Sequence, residues 1–319
     1  MRISIGGGGT DLPSFYELEG GAFISAAITK YVYIGINRTF TNDYFLKYSA
    51  LERTDEIGEI EHPLIREALR LREIGPSVEL VSLADIPAGT GLGSSGSFTV
   101  GLLRALSALQ HRHSSPAELA EEACHIEIDV LGNPVGKQDQ YIAAFGGLTA
   151  FEIAPDGSVD ARPLAVSRDT RHDLEDNLLM FFTGFSRAAD SVLTDQRARS
   201  VDRDPAMLDN LRFVKDTGRE IGRRLEVGDV RGFAELMHEH WMRKRERSTG
   251  MSNPDIDRWY DLAMKSGAIG GKLVGAGNGG FLLFYAEDRD QVRRAMEREG
   301  LAELRFGFDH DGSTVTARG

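Results

Sequence analysis

Apolar and polar residues alternate along the chain with two different periods, and together these periods predict a mixture of strands and helices. Short runs rich in β-branched and aromatic residues, such as 22–30 and 31–38, are typical of paired strands. Apolar residues spaced three and four positions apart instead predict helices over 62–73 and 98–109. The sequence therefore indicates a fold in which strands and helices are mixed.

The second half of the chain carries longer helical patterns and fewer strands than the first half. A helical pattern extends over most of 204–247, and a strand is predicted near the end of the chain, over 304–308. Residues 155–177 are polar and carry the proline and charges that are common at domain boundaries. We therefore predict two domains, over residues 1–165 and 166–319.

The composition narrows the classes of partner. The 319 residues include 37 Lys and Arg against 49 Asp and Glu, which gives a net charge of −12 and no general attraction for nucleic acid or an anionic membrane. No apolar run reaches the roughly 20 residues that span a bilayer. The single cysteine, Cys124, allows no intrachain disulfide, and this fits a reducing cytoplasm. The sequence leaves the oligomeric state open, with a homodimer as one option.

Glycine changes this ordinary picture, because the chain has 36 glycines and they are clustered. The clusters lie at 6–9, 89–101 and 267–280. Glycine is used where the backbone must approach another group closely or adopt a positive φ. Three such clusters in one acidic chain therefore point to a site where backbone amides approach a ligand.

The most informative segment is the glycine loop, residues 87–97, which follows a predicted strand and opens a predicted helix. Free N–H groups and the positive end of a helix dipole meet at such a point, and together they bind phosphate. The candidate ATP-binding residues are Pro87, Gly89, Gly91, Leu92, Gly93, Ser94, Ser95 and Gly96.

Other phosphate-binding motifs fit this segment less well. A Walker loop requires a lysine that is absent after Gly93 and Gly96, and the protein-kinase motifs that would follow a kinase glycine loop are also absent. Residues 91–96 do match the G-x-G-x-x-G of dinucleotide-binding oxidoreductases. That reading needs an acidic residue about 20 positions later at the end of a strand, whereas 111–118 reads as a loop between helices.

Three segments together resemble the motifs of the GHMP kinases, in the order in which that family has them. The glycine loop resembles the second motif, GAGNGG at 275–280 resembles the last, and Arg2 with Gly9, Thr10 and Asp11 resembles the first. The resemblance covers nearly the whole chain. It implies an α+β fold with an N-terminal ribosomal-S5-like α/β domain and a C-terminal ferredoxin-like domain, with ATP and sugar in the cleft between them.

Within this superfamily the chain most resembles the D-glycero-D-manno-heptose 7-phosphate kinases. The likeness rests on RIS leading into GGGTDLP near the start, GKQDQY at 136–141, and Trp241-x-x-Lys244 before SNP at 252–254. Those enzymes phosphorylate an anomeric hydroxyl on a route to nucleotide-activated heptose. Three alternatives stay open: a galactose- or fucose-type 1-kinase, a catalytically inactive sugar- or nucleotide-binding protein, and the NAD-dependent enzyme that residues 91–96 formally match.

The resemblance also implies roles for individual residues in phosphoryl transfer. Asp139 matches the catalytic aspartate, and Lys137 and Arg2 are expected to lower its pKa or to hold the transferring phosphate. Ser95 and Glu127 match the Mg²⁺ ligands, which are oxygen donors as that ion prefers. Three further carboxylates compete with Glu127 for this role: Glu121, Glu122 and Asp129.

On the acceptor side, the resemblance places Thr10 and Asp11 at sugar hydroxyls. Gly277 and Asn278 of the last glycine motif are expected to line the substrate site, although Asn278 stands where the family usually has glycine. A basic run that includes Lys244 lies inside this acidic protein, at 243–247. Such a run is commonly a solvated helix face, and the alternative is a pocket for the phosphate of a sugar phosphate, with Lys244 as its preferred member.

Overall fold

In the computed structural model, which describes residues 1–184, 190–248, 250–277 and 279–317, three four-stranded sheets organise the fold. The strands are β1 (Arg2–Gly6), β2 (Gly21–Ala27), β3 (Val32–Arg38), β4 (Tyr44–Lys47), β5 (Leu51–Thr54), β6 (Val78–Ala84), β7 (Leu148–Ile153), β8 (Val159–Pro163), β9 (Leu178–Phe182), β10 (Gly270–Val274), β11 (Phe281–Tyr285) and β12 (Ala302–Glu303). The helices are α1 (Pro13–Glu19), α2 (Pro63–Leu71), α3 (Ser94–Leu109), α4 (Pro116–Cys124), α5 (Gln138–Phe145), α6 (Arg168–Asn177), α7 (Asp190–Val201), α8 (Pro205–Glu226), α9 (Val230–Arg245), α10 (Pro254–Lys265) and α11 (Arg289–Arg298).

The N-terminal half contains two of the sheets. One has the order β1-β2-β7-β8 and is antiparallel, and the other has the order β3-β6-β4-β5 with β4 and β6 parallel. Helices α2 to α5 share one core with these sheets, in which Phe23, Leu46, Leu103 and Phe151 are buried. Cys124 belongs to the same core and is buried. The helices α2 to α5 are thus packed on one apolar interior.

The third sheet, β10-β11-β9-β12, is antiparallel and has a ferredoxin-like topology. In chain order it runs from β9 through α7, α8, α9 and α10 to β10 and β11, and then through α11 to β12. The first and third strands in chain order therefore lie side by side in the middle of the sheet, as in a split βαβ arrangement. The prediction of a ferredoxin-like C-terminal part is confirmed at the level of this topology.

A second core joins the two halves and positions the glycine-rich segments. Ile3 and Ile5 of β1 pack with Ile221 of α8, Phe233 of α9 and Val274 at the end of β10. The ends of β1 and β10 are therefore held close together. Each of these strands runs directly into a glycine-rich turn, and those turns form part of the candidate site.

Some predicted elements differ from the structure near the chain end and at the predicted boundary. The strand predicted over 304–308 is wrong: β12 covers only Ala302–Glu303, and Phe308 makes a single bridge to Ile28. The polar stretch 155–177 contains β8 and the polar helix α6, which Ser167 caps. Such edge elements bury few side chains, so their apolar pattern is weak. The predicted domain boundary after residue 165 falls between β8 and α6.

Among the described residues, no helix has the length and apolar character needed to cross a membrane.

Candidate active site

The glycine loop takes a conformation that leaves helix amides available to an anion. Gly89, Gly91 and Gly93 all have positive φ, at 77°, 85° and 71°. Gly93 is the N-cap of α3 and provides no side-chain cap, so the first N–H groups of the helix have neither an intrahelical partner nor a cap. Ser95 in this first turn is exposed. This arrangement is suited to phosphate oxygens.

The members of the glycine loop divide into exposed and anchoring residues. Pro87 and Gly89 are exposed, whereas the side chain of Leu92 is fully buried in the second core. The carbonyl of Leu92 accepts a hydrogen bond from the N–H of Arg2 at 3.0 Å. Leu92 therefore fixes the loop to β1 through its backbone and its side chain, and its side chain does not face the cleft.

The last glycine turn, residues 275–280, packs directly against the glycine loop. A Cβ at Gly91 would lie 2.7 Å from the carbonyl oxygen of Val274, and a Cβ at Gly280 would lie 2.5 Å from that of Thr90. At Gly277, with a φ of 129°, a Cβ would lie 2.6 Å from the sulfur of Met251. Asn278 lies outside the described residues. Two of the three motifs thus meet backbone to backbone.

Asp139, near the start of α5, is held against the glycine loop by Arg2. The Nε and Nη2 of Arg2 lie 2.7 and 2.6 Å from Oδ1 of Asp139, and Nη1 donates to the carbonyl of Gly91 at 2.5 Å. A Cβ at Gly96 would lie 2.7 Å from the Cβ of Asp139, so the first turns of α3 and α5 are in contact. The Arg2 side chain is buried and that of Asp139 is 29% exposed. Within the described part of the chain, Oδ2 of Asp139 accepts no hydrogen bond, which leaves it available to a substrate.

Ser95 and Glu127 form the second pair of the site. The hydroxyl of Ser95 donates to Oε2 of Glu127 at 2.5 Å, and the amide of Gln140 donates to Oε1 at 3.0 Å. Burial raises the pKa of Glu127, which lies on a π-helical extension of α4 at His125–Val130. A hydroxyl beside a buried carboxylate without a basic partner is a donor set that fits Mg²⁺. Among the described residues no cluster of three metal-ligating side chains occurs, so phosphate oxygens would have to complete the coordination.

The competing carboxylates on and after α4 point elsewhere. Glu121 contacts Lys137, Glu122 contacts Arg72, and Asp129 contacts the exposed His125. A local change to π-helical winding is frequent at functional sites, because it redirects a side chain. Of the two carboxylates in the π-helical segment His125–Val130, Glu127 is the one that contacts Ser95.

The structure does not bring Lys137 to Asp139. Its ammonium lies 3.0 Å from Oε1 of Glu121 and donates to the carbonyl of Gly157 at 2.7 Å. The rings of Tyr16 and Tyr141 flank it, each at 5.9 Å from the ammonium. Lys137 thus ties α4 to the loop after β7, and its catalytic role has no geometric support.

Thr10 and Asp11 close the first glycine turn, residues 6–9, and are buried. The hydroxyl of Thr10 lies 2.8 and 2.7 Å from the carbonyl oxygens of Gly7 and Ala22. The carboxylate of Asp11 accepts from the N–H of Gly9 at 2.9 Å and of Gln138 at 3.2 Å, and burial raises its pKa. These bonds join the first glycine turn to the start of α5. The hydroxyl of Thr10 is occupied by the backbone and does not reach a ligand.

The basic run at the end of α9 splits into outward and inward residues. Arg243 pairs with Asp209 and Glu246, and Arg245 pairs with Asp257, so both are ordinary surface cations. Lys244 points inward and donates to the carbonyl of Gly275 at 2.6 Å. Arg247 also points inward, donating to Asn210 at 3.0 Å and to the carbonyl of Gly8 at 3.2 Å.

A third inward cation, Lys272 on β10, was missed by sequence reasoning. Its ammonium donates to the carbonyl of Ile5 at 3.3 Å, and its pKa is lowered to about 7 by burial and by the nearby Arg2 and Arg247. We call Lys244, Arg247 and Lys272 the buried cationic cluster. A lone lysine in an apolar strand gives little warning. His240 and Lys244, four positions apart, share one face of α9, and that spacing is a signal for the cations of the helix end.

Two models of one known family match the chain, and the first of them covers Ser95, Glu127 and Asp139. The GHMP kinases N terminal domain matches residues 63–147, and the GHMP kinases C terminal matches residues 222–302. The chain belongs to the GHMP kinase family. Its members use ATP as phosphate donor, so this GHMP kinase is a phosphotransferase, and the dinucleotide-binding reading of residues 91–96 is set aside. The predicted family and α+β GHMP kinase fold are confirmed.

Individual relatives align over nearly the full length. A D-glycero-alpha-D-manno-heptose 7-phosphate kinase of Campylobacter jejuni is 27% identical over 98% of this chain and 96% of that protein. A bifunctional fucokinase/GDP-fucose pyrophosphorylase of Arabidopsis thaliana is 25% identical over 93% of this chain but only 30% of its own length. The crystal structure of a D-glycero-D-manno-heptose 1-phosphate kinase from Bacteroides thetaiotaomicron superposes with a TM-score of 0.80 and 26% identity, over 98% and 95% of the two chains.

Proposed function

We propose that this GHMP kinase transfers the γ-phosphate of ATP to the anomeric hydroxyl of D-glycero-D-manno-heptose 7-phosphate, in the cytoplasm, on a route to nucleotide-activated heptose. The observation that carries the chemistry is the Asp139 carboxylate, which Arg2 holds at 2.7 Å beside the glycine loop. This arrangement puts an acceptor of a hydroxyl proton next to a phosphate-binding helix start. Phosphoryl transfer needs such positioning more than covalent assistance.

The donor side is supplied by α3 and the segment after α4. The N-terminal amides of α3 would bind phosphate oxygens of ATP, and the glycines keep side chains out of their way. Ser95 and Glu127 would hold Mg²⁺, which neutralises charge on the phosphates when bound. Glu127 is buried and lacks a basic partner in the described chain, so a cation there would satisfy its charge.

The acceptor side depends on Asp139 and Arg2. The Oδ2 atom of Asp139 would accept a hydrogen bond from the attacking hydroxyl and orient it toward the γ-phosphorus. Arg2 fixes the carboxylate through two nitrogens on Oδ1, so that the carboxylate cannot rotate freely. The guanidinium also brings positive charge to the place where the transferring group accumulates negative charge.

The choice of a heptose phosphate as acceptor is supported by the two heptose kinases that align over nearly the whole chain. Their names differ over whether the acceptor carries its phosphate at position 7 or position 1, and both describe a sugar that is already phosphorylated. The fucokinase match, and a galactokinase of Pyrococcus furiosus that is 26% identical over 84% of this chain, keep an unphosphorylated sugar as the second candidate.

The proposal is tested by measuring ADP release with Mg-ATP across a panel of acceptors. The panel contains heptose 7-phosphate in both anomers, heptose 1-phosphate, mannose 6-phosphate, fucose, galactose and no sugar. We expect the highest kcat/KM with heptose 7-phosphate, and product analysis by phosphorus NMR should show an anomeric phosphate. The Asp139→Asn variant keeps the size of the side chain and should lose at least a hundredfold in kcat.

Other outcomes of this panel refute the proposal in distinct ways. Preference for fucose or galactose would keep a sugar kinase but remove the phosphorylated acceptor. Preference for heptose 1-phosphate would reverse the position of attack. ADP release that is independent of sugar and equal in Asp139→Asn would contradict the role of Asp139, and binding of ATP without turnover of any acceptor would favour the inactive binding protein.

A further inference from the structure

The buried cationic cluster has no role in the chemistry proposed for Asp139, Arg2, Ser95 and Glu127. Lys244, Arg247 and Lys272 are exposed by only 5%, 3% and 1%. Among the residues that the structure describes, none of the three forms an ion pair with a carboxylate. Buried cations are costly unless an anion compensates them. An anion supplied from outside the chain would provide that compensation.

The cluster and the neighbouring His240 also carry hydrogen-bond donors that have no acceptor. The Nη2 of Arg247 and the Nδ1 of His240 are buried and have no hydrogen-bond partner in the described chain. The Nε2 of His240 accepts from the N–H of Gly7 at 3.3 Å, so the proton of the neutral ring is on Nδ1. This ring is kept neutral because its burial, and then the three nearby basic side chains, lower its pKa well below the usual value. The site therefore holds two unused N–H donors beside three basic side chains.

Two members of the cluster, Lys272 and Arg247, and the neighbouring His240 converge on one short stretch of backbone, whereas Lys244 contacts the carbonyl of Gly275. Lys272 contacts the carbonyl of Ile5, His240 contacts the N–H of Gly7, and Arg247 contacts the carbonyl of Gly8. Each of the three cations also lowers the pKa of His240, which shows that their charges lie close to the ring. Residues from α9, from the turn after it and from β10 are thus gathered at the first glycine turn.

Among the described residues, Asp11 is the carboxylate whose charge acts on Arg247 and Lys244, and its oxygens already accept hydrogen bonds. The charge of Asp11 raises the pKa of Arg247 and Lys244 against the stronger effect of burial. Its two oxygens, however, accept from the backbone N–H groups of Gly9 and Gln138. Asp11 therefore offsets part of the positive charge, but it accepts no hydrogen bond from the unused donors of Arg247 and His240.

We propose that Lys244, Arg247 and Lys272 form the site for the phosphate group that the acceptor sugar already carries, with the Nδ1–H of His240 as a further donor. A phosphate has three oxygens and up to two negative charges, which match three cations and an added N–H. The phosphates of ATP would have their own partners on different elements of the fold, namely the N-terminal amides of α3 and the Mg²⁺ that Ser95 and Glu127 would hold. This inference rests on the proposed function, because it assumes a phosphorylated acceptor.

The test compares Lys272→Met with a matched surface variant, Arg243→Met. Both changes replace one cation by the same unbranched apolar side chain, but Arg243 pairs with Asp209 and Glu246 at the surface. We expect Lys272→Met to raise the KM for heptose 7-phosphate about ten- to a hundredfold, the value of one charge-assisted contact. The KM for ATP should stay within about twofold, and Arg243→Met should behave as the wild type. Lys244→Met should reproduce the effect of Lys272→Met.

The melting temperature of each variant serves as the control for correct folding. Removing one of several mutually repelling buried cations should leave the melting temperature of the unliganded protein unchanged or higher, so a loss of affinity would not be a loss of structure. A rise in the KM for ATP with an unchanged KM for the acceptor would assign the cluster to the γ-phosphate and overturn the proposal. Unchanged values for both substrates would also overturn it.

A binding measurement separates this inference from the proposed function. Isothermal titration calorimetry with inorganic phosphate, without ATP or sugar, tests the site even if no heptose phosphate is turned over. Wild type and Arg243→Met should bind phosphate, and Lys272→Met should bind it at least tenfold more weakly. Equal binding by Lys272→Met and the wild type would refute the site whatever the acceptor proves to be.

Discussion

The contact between the glycine loop and the last glycine turn can be tested at one position, Gly91. Its φ is 85°, and a Cβ there would lie 2.7 Å from the carbonyl oxygen of Val274 and 3.3 Å from the Cα of Gly275. The left-handed conformation alone costs an L-residue about 1–2 kcal/mol. The obstructing atoms belong to backbone, which cannot rotate away as a side chain would. The Gly91→Ala variant must therefore move the glycine loop away from the turn.

The backbone strain and the collision together set the expected loss of stability in Gly91→Ala. A Gly-to-Ala change returns about 0.4–1 kcal/mol by restricting the unfolded chain, so strain and collision together should leave Gly91→Ala less stable by about 1–3 kcal/mol. For a chain of this size that corresponds to a fall in melting temperature of roughly 2–4 °C. The displaced loop carries the amides that we propose bind ATP, and a misplacement of about 1 Å can cost a hundredfold in rate. We expect the KM for ATP to rise at least tenfold.

Gly101→Ala is the matched control for Gly91→Ala. Gly101 lies inside α3, and a Cβ there would meet Ile34 at an ordinary distance of 3.5 Å. Alanine is favoured over glycine in a helix by about 0.5–1 kcal/mol, so this variant should be more stable than the wild type. Thermal unfolding and ADP-release kinetics on the three proteins provide the measurement. If Gly91→Ala melts no lower than the wild type and keeps its KM for ATP within twofold, the close approach of the two loops is refuted.

Three further predictions concern the charged groups of the site. Glu127→Gln should lower kcat by about a hundredfold and raise the Mg²⁺ concentration needed for half-maximal activity, and an unchanged magnesium titration would remove Glu127 from the metal site. Arg2→Lys keeps the charge but loses the two-nitrogen contact to Asp139, so kcat should fall at least tenfold without a change in the KM for ATP. Burial and the neighbouring Arg2 and Arg247 lower the pKa of Lys272 to about 7, so the ammonium that we propose binds an anion is lost as pH rises above 7. Sulfate, whose charge is constant over pH 6–9, should bind about tenfold more weakly for each pH unit above 7, and a flat calorimetric profile in the wild type would contradict this.

The sequence predicted the parts of this protein that depend on local backbone chemistry. The glycine loop was recognisable because a strand, three glycines and a helix start follow one another, and the helix does begin at Ser94. Glu127 and Ser95 were proposed together, and they lie within hydrogen-bond distance. Local pattern is sufficient here because the functional atoms are backbone amides or sit one side chain away from a well-predicted helix.

Side-chain direction was the part that local pattern did not predict. Lys137 lies only two residues before Asp139, yet its ammonium turns to Glu121 because Gly157 and two aromatic rings form a niche there. Lys272 is separated from its neighbour in space, Ile5, by 267 residues, and nothing within β10 announces that contact. These placements depend on how distant elements pack, and one strand or helix pattern does not contain that information.

Charge explains why the acceptor site should be buried. The chain carries a net charge of −12, which opposes the approach of two anionic substrates. Salt screens the charges of an exposed surface beyond about 8 Å, but it scarcely affects groups in contact inside a cleft. In the proposed site, the interior cations Lys244 and Lys272 would therefore act on a phosphate only after it has entered, and salt would weaken them little. In an acidic kinase, discrimination between a phosphorylated and an unphosphorylated sugar should then depend on these buried contacts and be nearly insensitive to the surface charges of Arg243 and Arg245.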